Sequence, residues 1–133
     1  MTSEILTQQL GKIPFFRFLD FKLAEINETH TIATMSFADR LIGNPIMEYY
    51  HGGIIASFME SIAAISVQTD HDAQLPKPIN LTVDYLRPAV KGPLVVKATV
   101  TRKGKRMASV RTVSWQEDQL RPVAEGLHHF LVV

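Results

Sequence analysis

The sequence contains no cysteine, which excludes disulfide bonds, thiol nucleophiles and thiolate metal sites. Its charge is nearly balanced, and a net charge of +1 gives no basis for predicting nucleic acid or an anionic membrane as a partner. Residues 1–10 contain no apolar run of signal-peptide length, and the longest apolar stretch is interrupted by polar residues well short of a membrane span. These absences predict a soluble cytoplasmic protein.

The composition is ordinary for a globular protein, with 46% hydrophobic and 20% charged residues. A chain of 133 residues is long enough to bury a core. No internal repeat, linker or low-complexity tract divides the sequence. We therefore predict a single domain over residues 1–133.

The rest of the chain is organised around residues 51–68, which predict one helix of about five turns. This segment is apolar on nearly every side, and a helix of that kind must be buried by other elements. It contains a single carboxylate, Glu60, in its middle. Because carboxylates are almost never fully buried without a partner or a purpose, Glu60 is the first candidate for a functional residue.

Most of the remaining sequence predicts strands. Residues 3–12 have a weak helical pattern, residues 38–50 are irregular, and the polar segment 69–72 ends the central helix. Strand patterns occupy residues 20–26, 29–37, 77–87, 94–102, 106–116 and 121–131. The order is therefore β-β-α-β-β-β-β, and the short loops between the last three strands predict an antiparallel meander. One central helix and one curled antiparallel sheet make an α+β fold.

The start of the central helix is a candidate site for an oxygen of a ligand. The first backbone N–H groups of a helix lack internal partners and lie at the positive end of the helix dipole. Gly52 and Gly53 have no side chain to block approach, so an oxyanion formed from a carbonyl group could lie directly on these N–H groups. The structural alternative is that the two glycines merely allow a tight entry into a packed helix.

The spacing of His51 and Glu60 predicts a site shared between subunits. The two residues are nine positions apart, which places them on opposite helix faces and roughly 13 Å apart along the axis. If both are catalytic, His51 and Gly52 come from one subunit and Glu60 from the other. Small residues one turn either side of Glu60, such as Ala56 and Ala64, leave room for a substrate. The structural alternative for Glu60 is an ion pair with an arginine from elsewhere in the fold.

Three motifs carry a family resemblance. They are Asn44 followed by His51-Gly52-Gly53, Glu60 followed by Ser61, and Tyr-Leu-Arg-Pro-Ala at residues 85–89. The combination resembles the hot-dog-fold thioesterases of the PaaI-like (phenylacetic acid degradation) and 4-hydroxybenzoyl-CoA thioesterase groups, over roughly residues 15–131. The resemblance implies a long helix wrapped by an antiparallel sheet, and dimers with two active sites across the subunit interface.

The resemblance also implies roles for single residues. Gly52 gives its backbone N–H to the thioester carbonyl, and His51 positions that carbonyl or holds the loop. Glu60 occupies the position of the catalytic carboxylate, as a general base on water or as a nucleophile. Ser61 orients water or the acyl group. Asn44 matches the Asn or Gln that precedes His-Gly-Gly, although it lies one residue further from His51 than in the family pattern.

The implied substrate is an acyl-CoA or aroyl-CoA, bound by a homodimer or a dimer of dimers. No separate cofactor is expected, because coenzyme A is part of the substrate. Basic residues are candidates for its phosphates: Arg87, and a hairpin with Arg102, Lys103, Lys105 and Arg106. The alternative for the hairpin is a solvated turn. No metal site is predicted, since the histidines outside the central helix, namely His30, His71, His128 and His129, lack metal-ligand spacing.

Two other functions stay open on the same fold. A non-catalytic acyl-CoA-binding protein would keep the pocket and lose turnover, and Glu60 is the main argument against it. A dehydratase or hydratase acting on acyl thioesters pairs a histidine with an acid, but no histidine lies in the preceding strand with that pattern.

Overall fold

The computed structural model describes residues 3–68 and 75–132, without the side chains of residues 3–5. The polar segment predicted at residues 69–72 therefore lies outside the described residues. The helices are α1 (Ser3–Leu10), α2 (Pro14–Leu19) and α3 (Gly52–Val67). The strands are β1 (Phe21–Ile26), β2 (His30–Met35), β3 (Ile42–Asn44), β4 (Tyr49–Tyr50), β5 (Lys77–Tyr85), β6 (Leu94–Lys103), β7 (Met107–Trp115) and β8 (Ala124–Leu131).

Six of these strands form one antiparallel sheet in the order β1-β2-β6-β7-β8-β5. The consecutive pairing of β6, β7 and β8 confirms the predicted meander. Strand β5 follows α3 in the chain and pairs with β8 at the end of the sheet opposite β1. The predicted α+β architecture is confirmed, with β3 and β4 as a separate small ladder.

Helix α3 packs across β2, β6, β7 and β8, as its apolar sequence requires. Its largest side chains, such as Phe58, Met59 and Ile62, are fully buried between the helix and the sheet. The helix is exposed or half-buried along one face. Gly53, Ala56, Ser57 and Glu60 share this face because they follow the helical spacing i, i+3, i+4, i+7. No helix in the described part of the chain is long and apolar enough to cross a membrane.

Two segments differ from the sequence prediction. The aromatic segment after Pro14 forms the short helix α2, where no helix was predicted. Proline is favourable at the first helical position, and Asp20 ends the helix in a left-handed conformation with φ of 57°. Six residues are too few for a periodic signal, and the buried side chain of Leu19 anchors the helix to the core. Residues 38–50, predicted as irregular, contain a 3₁₀ turn as well as β3 and β4.

Gly126 allows α3 to approach the sheet closely. A Cβ atom at this position would lie 2.5 Å from Thr112 Oγ1, 2.7 Å from His128 Nε2 and 3.1 Å from the terminal carbon of Met59. Thr112 Oγ1 and His128 Nε2 are themselves hydrogen-bonded at 2.7 Å. Burial lowers the pKa of His128 to about 4, so its ring is neutral at pH 7.

Gly126→Ala is therefore expected to lower the free energy of unfolding by about 1–3 kcal/mol, because the added methyl group overpacks this contact. Chemical denaturation with a spectroscopic signal measures the difference. Gly52→Ala is the control, since a Cβ there would meet the ring of Tyr85 at an ordinary 3.5 Å. Equal stability of the two variants would contradict the close packing at Gly126.

Candidate active site

His51 caps the start of α3. Its Nδ1 accepts a hydrogen bond from the Gly53 N–H at 2.8 Å, and its carbonyl oxygen accepts from the N–H groups of Ile54 and Ile55 at 3.0 and 3.1 Å. The Gly52 N–H has no hydrogen-bond partner among the residues that the structure describes. One donor at the positive end of the helix is therefore left open, and it belongs to the residue predicted to bind the oxyanion.

Tyr85 fixes Gly52 from the other side. Its hydroxyl donates a hydrogen bond to the Gly52 carbonyl oxygen at 2.8 Å, and its ring lies 3.5 Å from the position of a Cβ atom at Gly52. The motif at residues 85–89 includes Tyr85 but predicts no role for its side chain. The alternation of residues along β5 could have indicated that Tyr85 faces the core, because it places Tyr85 on the same face as the half-buried Val83.

Glu60 lines a cavity of about 210 Å³ beside α3. The apolar walls of this cavity come from α2, from the segment that leads into β5, and from β8, with Phe15, Phe16, Leu75 and Phe130 among the lining residues. The side chain is half-buried, and this burial raises the pKa of the Glu60 carboxyl above its ordinary value. In the described ranges, residues 3–68 and 75–132, Glu60 forms no ion pair. The structural alternative of an arginine partner is therefore not observed.

Ser61 lines the same cavity, directly after Glu60 in the helix. Its hydroxyl donates a hydrogen bond to the Ser57 carbonyl oxygen at 2.7 Å, one turn back in the helix. With its proton engaged by the backbone, Ser61 is left with its oxygen lone pairs, which can accept a hydrogen bond from water.

Asn44 lies at the end of β3, in the loop before His51. Its Oδ1 accepts hydrogen bonds from the backbone N–H groups of Ile46 and Met47, at 3.1 and 3.0 Å, and so shapes the turn between β3 and β4. The same ladder braces the helix start, because a Cβ atom at Gly43 would lie 2.6 Å from the Cα of His51. Asn44 therefore supports the loop that carries His51.

The predicted basic residues lie at two different ends of α3. In the hairpin between β6 and β7, Lys103 Nζ lies 3.4 Å from the carbonyl oxygen of Val67, the last residue of the helix. Arg87 follows β5 near the start of the helix, and its guanidinium donates to the carbonyl oxygen of Pro122. Across the described parts of the chain, no three His, Asp or Glu side chains lie close enough together to hold a metal ion.

The same region of the chain matches a known family. A sequence model described as the thioesterase superfamily matches residues 47–123, which include the start of α3, Glu60 and Arg87. The chain belongs to the thioesterase superfamily. This membership confirms the predicted enzyme class, a thioester hydrolase, and the resemblance seen in the His-Gly-Gly and Leu-Arg-Pro motifs.

Individual proteins are also similar to this chain. The medium/long-chain acyl-CoA thioesterase YigI of Salmonella typhimurium is 28% identical, and the match covers 90% of this chain and 90% of that protein. A protein of Saccharolobus solfataricus is 27% identical, and the match covers 67% of this chain and 62% of that protein. The structure of a phenylacetic acid degradation-related protein from Ralstonia eutropha covers 98% of both chains with a TM-score of 0.84 at 21% identity. The predicted hot-dog fold is thereby confirmed.

Proposed function

We propose that this thioesterase hydrolyses acyl-CoA or aroyl-CoA, with Glu60 as general base or nucleophile and the Gly52 N–H as donor to the oxyanion. The main support is Glu60 itself, a half-buried carboxylate in an apolar cavity with no cation among the described residues to neutralise it. Such a group costs stability and is typical of a catalytic site. The name of the relative YigI supports acyl-CoA as the substrate class.

The two parts of this site must come from different chains. Gly52 and Glu60 are eight residues apart in one rigid helix, which separates them by about 12 Å along its axis. If Gly52 of one subunit meets Glu60 of a second, two-fold symmetry requires the reverse pair as well. The two α3 helices then run antiparallel and cross midway between these residues, at Ala56. A small, half-buried residue at this position permits close approach.

Strand β5 supports a second copy of the chain as the partner. Leu81 and Tyr85 pair across the ladder with the buried residues His128 and Ala124, so they lie on the core-facing side of the sheet. They are nevertheless 37% and 53% exposed, since β5 is an edge strand that α3 covers only in part. An apolar, unpaired edge next to the exposed face of α3 is suited to pairing with its own copy.

The chemistry needs only groups that this dimer supplies. As the oxygen of water bonds to the thioester carbon, Glu60 accepts the proton that the water loses. The carbonyl electron pair moves to the oxygen, which the Gly52 N–H of the other subunit stabilises. When the carbonyl re-forms, coenzyme A leaves as the thiolate and takes the proton from Glu60. The products are a carboxylic acid and free coenzyme A.

A nucleophilic route uses the same residues. A Glu60 oxygen attacks the thioester carbon and expels the thiolate, which leaves an acyl-glutamyl anhydride. Water then hydrolyses the anhydride and regenerates the carboxylate. Hydrolysis in ¹⁸O-labelled water tests this route when water attacks the glutamyl carbon of the anhydride. A single turnover then leaves labelled oxygen in Glu60, which the general-base route never does.

A hydrolysis screen tests the proposed function. Short-chain, long-chain and aromatic acyl-CoA esters are incubated with the protein, and the released thiol is measured by its reaction with a disulfide reagent. The proposal expects turnover of at least one class at rates of about 1–10³ s⁻¹. Tight binding of acyl-CoA without thiol release would instead support the non-catalytic alternative.

Ala56→Arg is expected to convert the dimer to a monomer, because it places two bulky charges at the point where the two helices cross. Hydrolysis should be lost at the same time, since neither subunit then contains a whole site. Sedimentation measures the change in mass and also distinguishes a dimer from a dimer of dimers. Ala24→Arg on β1, an exposed alanine at the opposite edge of the sheet, is the matched control. An Ala56→Arg protein that stays dimeric would place the interface elsewhere.

A further inference from the structure

Gly52 joins two peptide groups that are each held by hydrogen bonds. In the first group, the carbonyl oxygen of His51 accepts from two N–H groups of the first helical turn at 3.0 and 3.1 Å. In the second group, the carbonyl oxygen of Gly52 accepts from the Tyr85 hydroxyl at 2.8 Å, and the Gly53 N–H donates to His51 Nδ1 at 2.8 Å. The second peptide group is therefore fixed at both of its polar atoms.

The start of α3 needs such anchoring because its sequence is poorly suited to a helix end. Its first two residues, Gly52 and Gly53, have more backbone freedom than any other residue type. The first turn also contains no acidic side chain to favour the positive end of the helix dipole. A backbone donor stabilises developing charge only if it is already in place, so an N–H that frays with the helix end would lose this effect.

Tyr85 is itself held in place by the sheet. It is the last residue of β5 and pairs with Ala124 of β8 across the ladder. The next residue, Leu86, continues this attachment, because its N–H donates to the Val123 carbonyl oxygen at 2.8 Å. The Tyr85 hydroxyl therefore anchors the first peptide groups of the helix to the edge of the sheet.

The hydrogen bonds form a chain that ends at the His51 ring. A backbone N–H can only donate, so Nδ1 must accept, and the proton of the neutral ring lies on Nε2. Hydrogen bonds in a chain polarise one another, so the bond from Tyr85 to the Gly52 carbonyl strengthens the Gly53 N–H as a donor. The exchange rate of the Gly53 amide hydrogen therefore reports on this chain without any substrate.

We propose that Tyr85 is a positioning residue, which keeps the Gly52 N–H aimed at the oxyanion through its hydrogen bond to the Gly52 carbonyl oxygen. The inference rests on the proposed function, in which Gly52 is the oxyanion donor. Tyr85 acts through Gly52 and needs no contact with the substrate. Its hydroxyl should therefore affect kcat far more than KM, because the oxyanion forms only as the reaction proceeds.

Tyr85→Phe removes the hydroxyl and keeps the ring. It should lower kcat for acyl-CoA hydrolysis about 10-fold, equivalent to about 1.4 kcal/mol, with KM nearly unchanged. Exchange of the Gly53 amide hydrogen, followed by NMR, should become about 10-fold faster. Tyr50→Phe is the matched control, because the Tyr50 hydroxyl also donates to a backbone carbonyl oxygen, that of Gly92 at 2.6 Å, but outside the helix. It should leave kcat and the Gly53 exchange rate unchanged.

A double-mutant cycle tests whether Tyr85 acts through Gly52. In Gly52→Pro, which lacks the N–H, Tyr85→Phe should cause no further loss of kcat. The inference is overturned if the two losses add in full, or if Tyr50→Phe lowers kcat as much as Tyr85→Phe does. It is also overturned if Tyr85→Phe leaves either kcat or the Gly53 exchange rate unchanged.

Failure of the proposed function has a different signature, because the unmodified protein would then release no thiol from any acyl-CoA. If the unmodified protein hydrolyses acyl-CoA and Tyr85→Phe matches its kcat, thioesterase activity is established and the positioning role of Tyr85 is refuted.

Discussion

Glu60→Gln is expected to lower kcat for thioester hydrolysis by about 10²–10⁴-fold, the usual contribution of a general base. Glutamine has nearly the same shape but can neither accept the proton from water nor act as a nucleophile. The measurement is thiol release under saturating substrate, with binding of a non-hydrolysable acyl-CoA analogue as a check on the site. Near-normal turnover would remove Glu60 from the chemistry.

The same substitution should stabilise the protein at neutral pH. Burial raises the pKa of the Glu60 carboxyl in the folded state, so the folded chain binds this proton more tightly than the unfolded chain does. As pH rises through the window between the ordinary and the raised pKa, ionisation of Glu60 therefore lowers stability. Glu60→Gln should raise the melting temperature at pH 7 and have little effect in acid, where the carboxyl is protonated in both states.

The pH dependence of activity follows from the same shift. The acidic limb of kcat/KM should lie above the ordinary pKa of a glutamate, because Glu60 must be ionised to act as the proposed base or nucleophile. Glu60→Asp should keep such a limb at a lower rate, and Glu60→Gln should abolish it in the residual activity. An unchanged profile in Glu60→Gln would show that another group causes the limb.

Gly52→Pro is expected to lower kcat by about 10²–10³-fold, because it deletes the backbone N–H that we propose as the donor to the oxyanion. The substitution suits the local structure unusually well. Gly52 is the first helical residue, where proline is favourable, and its N–H has no partner among the described residues. His51 has φ of −64° and ψ of 132°, which is the conformation preferred before proline.

Gly52→Ala is the matched control for this prediction. It adds a carbon at the same position, in ordinary contact with Tyr85 at 3.5 Å, and keeps the N–H. If the proline variant loses more kcat than the alanine variant, the difference is therefore the contribution of the N–H group. Equal activity of the two variants, with equal melting temperatures, would exclude the Gly52 N–H as the oxyanion donor.

The parts of the fold that follow from local pattern were predictable from the sequence. The central helix was clear because residues 51–68 are apolar throughout, and Glu60 stood out because it is the one acid among them. The meander was clear because short loops join β6, β7 and β8. The position of β5 beside β8 depends instead on pairing between residues that are 39 to 54 positions apart, which no local pattern encodes.

The positions of the candidate residues along α3 were predictable from the sequence, whereas their supporting contacts were not. Gly52 and Glu60 lie where their spacing in the helix placed them. The sequence did not predict the contact of Tyr85 or the helix α2. The Tyr85 hydroxyl meets a backbone carbonyl distant in sequence, and a six-residue helix depends on packing, so both arise only in the folded chain. For the same reason the spacing of the basic residues did not show that Arg87 and the hairpin lie at opposite ends of α3.

Mixing the Gly52→Pro and Glu60→Gln variants tests the proposal that each active site takes Gly52 from one subunit and Glu60 from the other. A mixed dimer of Gly52→Pro and Glu60→Gln subunits has one site with both substitutions and one site with neither. After unfolding and refolding together in equal amounts, half of the dimers are mixed, so about a quarter of the wild-type activity should return. If both residues served a site within one chain, every site would carry a substitution, and the mixture would be no more active than its two components.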